Sequence, residues 1–471
     1  MATVTEPAPR TGRNVELALL VLAVAVAMAA YALVGLAQDG VWPPGLLGYG
    51  AGLGALAVAL HLVLRWRAPY ADPVLLPIAT AVNGLGLAVI HRLDLAEGQS
   101  GASAFAPRQL VWTAIGVAAA AAVLVLLRDH RILRRYTFTA MVAGLVLLLL
   151  PLVPVLGTTI NGARIWIRLG PLSFQPGELA KIALTVFFAG YLVTHRDTLS
   201  LAGRTVLGLQ LPRARDLGPI LIAWVASMGV LVLERDLGTS LLFFGIFVAM
   251  LYVATQRVAW IALGLGLFAA GAVLAWSLFD HVQGRVQAWL DPYDPAVYDA
   301  EVGGSYQLVQ GLFGMANGGL IGTGLGQGRP DIVPYAESDF IVAAIGEELG
   351  LAGLTALLLL YLVLVQRGLR AAVGVRDGFG KLLAGGLAFA VALQVFVVAG
   401  GVTRVIPLTG LTMPLLAYGG SSLVANWMIV ALLLRVSDAA RRPAPVVVST
   451  SSSSADTAAT QVVAVRPGGA S

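Results

Sequence analysis

The sequence contains no cysteine among its 471 residues. Disulfide bonds, thiol nucleophiles and thiolate metal sites are therefore excluded. Charged residues make up only 12% of the chain, whereas a typical soluble domain has about 25%. The five histidines are scattered near the ends of apolar runs and show no metal-ligand spacing; they are His61, His91, His130, His195 and His281.

Long apolar runs dominate the chain, and hydrophobic residues account for 58% of it. Twelve runs are long enough, or nearly so, to cross about 30 Å of hydrocarbon as helices. They cover residues 15–36, 45–64, 73–90, 108–127, 136–155, 176–194, 218–234, 237–255, 258–279, 340–365, 382–401 and 415–434. The sequence therefore predicts an all-α fold, a polytopic membrane bundle of about twelve transmembrane helices.

Lysine and arginine residues are distributed unequally between the two faces of this bundle. With both termini in the cytoplasm, cytoplasmic segments carry 21 of the 30, the opposite loops carry 8, and Lys181 lies within a helix. Because positive residues are retained on the cytoplasmic side, both termini are predicted to be cytoplasmic and Asp339 extracytoplasmic. The first span is too long for a signal-peptide core, so we interpret it as a retained span. The net charge of +5 mostly reflects arginines facing anionic lipid and gives no reason to expect nucleic acid as a partner.

The polar segments define the domain organisation. Residues 1–14 and 436–471 are predicted to be disordered cytoplasmic termini, because the serine-rich tail cannot bury a core. The membrane domain would then occupy residues 15–435. Its largest connection is an extracytoplasmic loop, residues 280–339, and loops of that length in compact bundles are usually functional. Within this loop, Tyr306–Ala316 has the apolar spacing of a helix lying in the membrane interface.

The segment Gly318–Gly350 carries three acidic residues next to or within an apolar run. Carboxylates are costly at or below a membrane surface, so they are candidates for a functional site. Asp339 precedes the apolar run and could be a helix N-cap, which would keep it ionised, or a general base, or both. Glu347 and Glu348 lie deeper, and the alternative for them is a buried ion pair with an arginine or lysine of another helix.

Glycines are concentrated in Gly318–Gly328. No predicted strand precedes them, so the resemblance to a dinucleotide-binding loop is superficial. They are expected to permit tight turns and a close approach of backbone to a ligand. Exposed N–H groups in this segment could bind an anion.

The segment Phe174–Lys181 opens the sixth predicted span. Pro176 suits the first helical turn, and Glu178 suits the positive end of the helix dipole. Glu178 and Lys181 are i,i+3 neighbours, so they could simply form a salt bridge. A lysine about five residues into a membrane helix must face protein or water, where it suits a phosphate or pyrophosphate group.

Three further outer segments contain candidate residues. Asp236 lies in a tight hairpin between two spans and could cap the following helix. The loop 157–175 carries Arg164 and Trp166. The segment Tyr418–Ser422 has paired glycines that suit close packing of membrane helices. A serine nucleophile there would need a base, and no histidine lies nearby, so a serine hydrolase is not favoured.

Five motifs, in this order and spacing, resemble the SEDS family of bacterial envelope proteins, the RodA/FtsW/SpoVE group. The resemblance covers about residues 73–435, and the two added N-terminal spans are similar to those of actinobacterial RodA-type members. The motifs are NGARIWIRLGPLSFQPGELAK, RDLGTS, LDPYDP with YQLVQGLFGMANGGLIGTGLGQG, ESDFIVAAIGEELGLAG, and PLLAYGGSS.

This resemblance implies a peptidoglycan glycosyltransferase that polymerises lipid II into β-1,4 glycan strands on the outer face of the plasma membrane, for cell elongation, shape or division. It further implies a class B penicillin-binding protein as partner, in addition to lipid II and membrane lipids. Asp339 matches the catalytic aspartate of the family, and Lys181 becomes the strongest candidate for the pyrophosphate. The remaining substrate-binding or supporting candidates are Glu178, Arg164, Trp166, Asp236, Gln310, Glu337, Glu348 and Ser421. No metal ligands are assigned, although a divalent cation, Mg²⁺ or Mn²⁺, could assist.

The chain departs from the family pattern at several positions. The family usually has serine where Gly177 stands, and arginine where Ile165 stands, so Arg164 is displaced by one position. A glutamate four residues before the catalytic aspartate is replaced by Tyr335, while Glu337 lies two residues before it. Two alternatives to the enzyme stay open at this point: a lipid II flippase, or a non-catalytic scaffold for a transpeptidase.

Overall fold

The computed structural model describes residues 11–101, 103–154, 156–160, 163–169, 172–199, 202–206, 209–212, 217–300 and 303–443. Most of the two termini predicted to be disordered, residues 1–10 and 444–471, lies outside the described residues. Where the structure does describe their inner ends, they are helical: the first helix begins at Arg13 and the last continues to Arg441.

The described residues are mostly α-helical. The helices are α1 (Arg13–Asp39), α2 (Leu46–Arg67), α3 (Leu75–Ala96), α4 (Phe105–Leu126), α5 (Thr137–Leu149), α6 (Pro176–Leu199), α7 (Gly218–Glu234), α8 (Leu237–Thr255), α9 (Val258–Leu278), α10 (Asp280–Leu290), α11 (Pro295–Tyr298), α12 (Tyr306–Gly318), α13 (Ile341–Glu348), α14 (Gly350–Gly374), α15 (Gly378–Val402) and α16 (Gly420–Arg441). Short 3-10 helices cover His130–Tyr136, Leu150–Leu152 and Pro330–Ile332.

Eleven helical segments of the described chain are long and apolar enough to cross a membrane, and α7 is a shorter apolar helix. The predicted multi-pass helical bundle is thus confirmed, although its number of spans as about twelve stays a prediction. The amphipathic segment in the long loop is also helical as predicted, as α12. Two antiparallel sheets were not predicted: β1 (Gly157–Ile160), β2 (Ala163–Leu169) and β3 (Leu172–Phe174) form one, and β4 (Ala202–Val206) and β5 (Leu209–Pro212) form the other.

The predicted span 340–365 is wrong as one continuous helix, because the structure breaks it between α13 and α14. Gly350 has a φ of +67°, a left-handed conformation that favours glycine. The first amide groups of α14 have no partner within the helix. The N–H groups of Leu351 and Ala352 instead donate to the carbonyl oxygens of Gly319 and Leu320, each at 2.9 Å. The glycine-rich segment thereby completes the start of α14.

The helices α3 and α16 are the most enclosed of the candidate spans and form the centre of the bundle. The first helix packs along α3, α4 along α16, α5 along α6, and α14 along α15. One end of the bundle, where α6, α8, α14 and α16 begin and α1, α3 and α15 end, is called the Asp339 end below.

The opposite end of the bundle fastens the two N-terminal helices to the rest of the chain. The Glu16 carboxylate of α1 is fully buried, 2.5 Å from Arg13 Nη1 and 2.6 Å from His61 Nδ1 of α2. The Arg13 guanidinium also donates to the carbonyl oxygen of Ala71, just before α3. A buried carboxylate is tolerated when it is paired in this way.

Candidate active site

Asp339 lies in the turn immediately before α13 and is partly exposed. The helix begins at Ile341, Phe340 occupies its N-cap position, and no side chain makes a capping hydrogen bond there. The interpretation of Asp339 as a helix cap is therefore wrong. Its carboxylate is not used to complete the helix, which leaves it available for other chemistry.

The environment of Asp339 raises the pKa of its carboxyl group to about 7. Burial is the main cause, because it disfavours the charged form. The Arg285 guanidinium lowers the pKa, whereas the Glu337 and Asp236 carboxylates raise it further. The carboxyl group therefore exchanges its proton near neutral pH, as a general base does most effectively.

Asp339 and Arg285 face each other across Gly410, in the loop between α15 and α16. A side-chain carbon placed on Gly410 would lie 3.6 Å from Asp339 Oδ2 and 3.7 Å from Arg285 Nη2. Arg285 extends from α10, and its Nη1 donates to the carbonyl oxygen of Leu408 at 2.7 Å. The space above Gly410 is called the Gly410 notch below. Sequence reasoning missed Arg285, since nothing local in α10 indicates that it meets Asp339.

Asp236 forms the N-cap of α8, as one of its two interpretations predicted. Its Oδ1 accepts from the backbone N–H of Thr239 at 2.9 Å, and its Oδ2 accepts from the Thr239 hydroxyl at 2.5 Å. The side chain is buried and engaged at both oxygens. Asp236 therefore acts on Asp339 through its charge, while its hydrogen bonds start α8.

Lys181 and Glu178 form the i,i+3 salt bridge that their spacing allows. Lys181 Nζ lies 2.8 Å from Glu178 Oε2 and 2.8 Å from Gln394 Oε1 of α15. The lysine is only 2% exposed. A ligand could reach its ammonium group only by displacing these partners, so these contacts do not support its predicted role at the pyrophosphate, which stays a prediction.

Arg164 and Trp166 lie on the same face of β2, where alternate residues point the same way. Both side chains are partly buried, and Arg164 Nε makes no hydrogen bond to a described residue. No described contact joins either residue to Asp339. Their assignment to the substrate site therefore stays a prediction.

Three other predicted residues make structural contacts. Ser421 is buried, and its Oγ accepts from the backbone N–H of Gln175 at 2.8 Å, which ties the start of α16 to the start of α6. Gln310 donates to the Tyr298 hydroxyl at 3.0 Å. Glu337 accepts from the Tyr418 N–H through its backbone, while burial raises the pKa of its free carboxyl group. Of these, only Glu337 acts directly on the charge of Asp339.

Glu348 forms the buried ion pair proposed as its alternative role, and its partner is Arg92 of α3. The Arg92 Nε atom lies 2.8 Å from Glu348 Oε1, and both side chains are 3% exposed. The other carboxylate oxygen accepts from the Gly326 N–H at 2.9 Å. Glu347 accepts from the Arg329 N–H at 3.0 Å. Both glutamates hold the glycine-rich segment against α13.

The glycine-rich segment approaches protein backbone rather than open space. The N–H groups of Thr323 and Gly324 donate to the carbonyl oxygens of Glu347 and Glu348 at 3.0 and 2.9 Å. These donors are used within the protein, so the predicted anion cradle is wrong for these positions. The close contact instead fixes α13, and with it the turn that carries Asp339.

Gly322→Ala is expected to lower both thermal stability and activity. Gly322 has a φ of +84°, which costs a residue with a side chain about 1–2 kcal/mol, and a methyl group there would overlap the carbonyl of Glu348. Gly319→Ala is the matched control, because its φ of +55° is also unfavourable but no atom lies within 4 Å of the added carbon. Thermal unfolding of both variants in detergent measures the difference. Equal loss in the two variants would contradict the packing contact.

In the part of the chain that the structure describes, no three histidine, aspartate or glutamate side chains are placed to hold a metal ion. The described residues therefore do not provide a recognisable metal site. We derive no step through the divalent cation considered from the sequence.

Comparison with known proteins places these features in context. The family model described as "Cell cycle protein" (FtsW/RodA/SpoVE) matches residues 73–442. A peptidoglycan glycosyltransferase RodA from Mycobacterium tuberculosis (strain H37Rv) is 52% identical over 444 residues, which cover 93% of each chain. A structure of a peptidoglycan synthase complex that coordinates polymerization and crosslinking is similar with a TM-score of 0.62, at 29% identity, over 79% of this chain and 99% of the other. The rod shape determining protein RodA of Thermus thermophilus gives a TM-score of 0.55, at 28% identity, over 79% and 98% of the two chains.

Proposed function

Because this chain belongs to the FtsW/RodA/SpoVE family of cell cycle proteins, we propose that Asp339 is the general base of its glycosyl transfer reaction. The chain is a peptidoglycan glycosyltransferase of the RodA type, most similar to the mycobacterial members. Its substrate would be lipid II, whose sugar is linked to undecaprenol through a diphosphate. The finer assignments below concern how the described residues carry out this reaction.

The proposed reaction joins two lipid-linked sugars. Asp339 takes the proton from the 4-hydroxyl group of the acceptor GlcNAc, and the resulting oxygen attacks the anomeric carbon of the donor MurNAc. The bond from that carbon to the diphosphate oxygen breaks, and undecaprenyl diphosphate leaves with the bonding electrons. Attack from the opposite side inverts the anomeric carbon and gives a β-1,4 linkage. Since diphosphate is a good leaving group, one base and stabilisation of the departing charge are sufficient.

The observation that carries this proposal is the state of the Asp339 carboxylate. It makes no capping hydrogen bond, it is partly exposed, and its pKa is raised to about 7. It also faces Arg285 across the Gly410 notch, so a base and a cation border one space. A carboxylate with a purely structural role would be expected to have its oxygens engaged, as those of Asp236 are.

The chain is a multi-pass membrane protein, and the reaction would take place on the outer face of the plasma membrane. The distribution of lysine and arginine supports this sidedness, because it places the Asp339 end outside and both termini inside. A transpeptidase is proposed as partner, specifically a class B penicillin-binding protein. The similarity to a synthase complex that couples polymerization to crosslinking supports this partner.

Reconstitution with purified components tests the proposed activity. The protein in detergent is supplied with lipid II, with and without its transpeptidase partner, and glycan strands are resolved on a gel. Strands that disappear in Asp339→Asn would support the base. If no strands form even with the partner, while lipid II crosses the bilayer of liposomes that hold the protein, the flippase alternative would be correct.

The rate of polymerisation is expected to depend on pH through Asp339. Because a base works only when deprotonated, kcat/KM for lipid II should rise about tenfold per pH unit below pH 7 and level off above about pH 8. An aspartate with an ordinary pKa of about 3.9 would give no such rise in this range. Initial rates between about pH 5 and pH 9 measure the profile.

The pH profile needs a check on folding, since a rate can also fall because the protein unfolds. Thermal unfolding temperatures recorded at each pH provide that check. A rate that stays flat between about pH 5.5 and pH 8 in folded protein would contradict the raised pKa of Asp339.

A further inference from the structure

The departing diphosphate carries negative charge, and the structure limits which cations can meet it. Lys181 is buried between Glu178 and Gln394. The Arg329 guanidinium is paired with the Asp331 carboxylate at the surface. The cation that borders the Gly410 notch together with Asp339 is Arg285. The search for a diphosphate site therefore begins at α10.

Two further cationic side chains lie near Arg285. His281 is four residues earlier on α10, so the two side chains lie on one face of the helix. Arg235 follows the end of α7, is exposed, and has a φ of +57°, which is unusual for arginine. The pKa of His281 is lowered by burial and then by the charges of Arg235 and Arg285, which places all three groups close together. Asp280 offsets part of this positive charge.

The hydrogen-bonding groups of this cluster are incompletely used. His281 Nε2 is buried and makes no hydrogen bond to a described residue. Arg285 uses Nη1 to bind the Leu408 carbonyl, while its Nη2 points to the Gly410 notch. Burying a polar atom without a partner costs free energy, which a bound ligand would recover. A cluster of positive charge with unused donors is suited to an anion.

We propose that Arg235, His281 and Arg285 bind the diphosphate of a polyprenyl diphosphate sugar, beside the Asp339 carboxylate. Two guanidinium groups match the two negative charges of a diphosphate diester, and each can donate two parallel hydrogen bonds to phosphate oxygens. As the bond to the sugar breaks, the leaving oxygen gains charge, and fixed donors next to it stabilise that charge. This assignment rests on the proposed glycosyl transfer and names the site of its leaving group.

The position of the cluster is consistent with the proposed reaction. Asp339 Oδ2 and Arg285 Nη2 lie on either side of the Gly410 notch, so a sugar in the notch could meet the base and have its diphosphate at the cations. Gly410 has no side chain to fill this space, and Leu408 in the same loop anchors Arg285. The glycine-rich segment does not compete for the diphosphate, because its N–H groups at Thr323 and Gly324 are already bonded.

Binding of farnesyl diphosphate, a short polyprenyl diphosphate, tests the site without requiring catalysis. Titration calorimetry of the full-length protein in detergent is expected to show binding of farnesyl diphosphate and none of farnesol. Arg285→Gln should weaken binding about tenfold or more, and Arg285→Lys should restore part of the loss, because a charge-assisted hydrogen bond is lost in one and partly kept in the other. Arg329→Ala is the matched control, as it removes an arginine of the same face outside the cluster and should bind normally.

A second variant keeps the test valid if Arg285→Gln unfolds, which thermal unfolding would reveal. The double variant Arg235→Asn/His281→Gln leaves Arg285 and its anchor intact, and asparagine tolerates the left-handed backbone at position 235. Unchanged affinity in this folded double variant, or in folded Arg285→Gln, would overturn the proposed site. Asp339→Asn should still bind farnesyl diphosphate. Full polymerisation by Asp339→Asn would therefore refute the base while leaving the diphosphate site to be judged by binding.

Discussion

Replacing Asp339 with asparagine is expected to lower kcat/KM for lipid II by roughly 10²- to 10⁴-fold, the contribution of a positioned general base. Asparagine has the same shape but accepts no proton near neutral pH. Because Asp339 does not cap α13, the substitution removes no hydrogen bond on which the helix depends. Thermal stability should therefore be retained or rise slightly, since the group that burial disfavours as an anion becomes neutral.

The matched control for this substitution is Asp331→Asn, which removes the same charge from the same outer segment. Asp331 pairs with the exposed Arg329 side chain, and such surface pairs contribute about 0–1 kcal/mol. Its rate of glycan synthesis should equal that of the wild-type protein. Equal rates for wild type, Asp339→Asn and Asp331→Asn, measured with the partner present, would rule out Asp339 as the base.

Arg92→Ala is expected to destabilise the protein by about 3–5 kcal/mol, because it leaves the Glu348 carboxylate buried without its countercharge. Arg92 also donates to the carbonyl oxygen of Gly328, so the glycine-rich segment loses a second contact. That segment holds the break between α13 and α14. Polymerisation should fall together with stability, since α13 follows directly from the turn that carries Asp339.

Unfolding of Arg92→Ala by a denaturing detergent, compared with wild type, measures this loss. Arg329→Ala is again the control, with an expected change near zero because its ion pair is exposed. The double variant Arg92→Met/Glu348→Met should recover much of the stability lost in Arg92→Ala, because it removes the unpaired charge. A single variant as stable as wild type would show that the Arg92–Glu348 pair does not hold the fold together.

Local patterns in the sequence were sufficient for much of the fold. Apolar run length predicted the helical segments, since a helix must cover the hydrocarbon thickness on its own. The i,i+3 spacing predicted the Glu178–Lys181 ion pair, and the residues after Asp236 predicted its capping role. Motif order predicted the family, which the match over residues 73–442 confirms. Each of these features depends on residues close together in the chain.

The candidate site depends on residues that are far apart. Arg92 and Glu348 are separated by 256 positions, so no periodicity or short motif could pair them. The same applies to Arg285, which meets Asp339 only because α10 and the loop at Gly410 converge at the Asp339 end. The break at Gly350 was also hidden from sequence, because an apolar run reads the same whether it forms one helix or two.

By itself the sequence determined a polytopic helical membrane protein, its family and the importance of Asp339, because hydrophobic length and ordered motifs are local properties. Only the tertiary structure decided that Asp339 is not a helix cap, that Lys181 is buried in an ion pair, and that Arg285 is the cation beside the base. Burial, the pKa of a carboxylate and the meeting of distant side chains arise when helices pack. They are properties of the assembled bundle rather than of any segment within it.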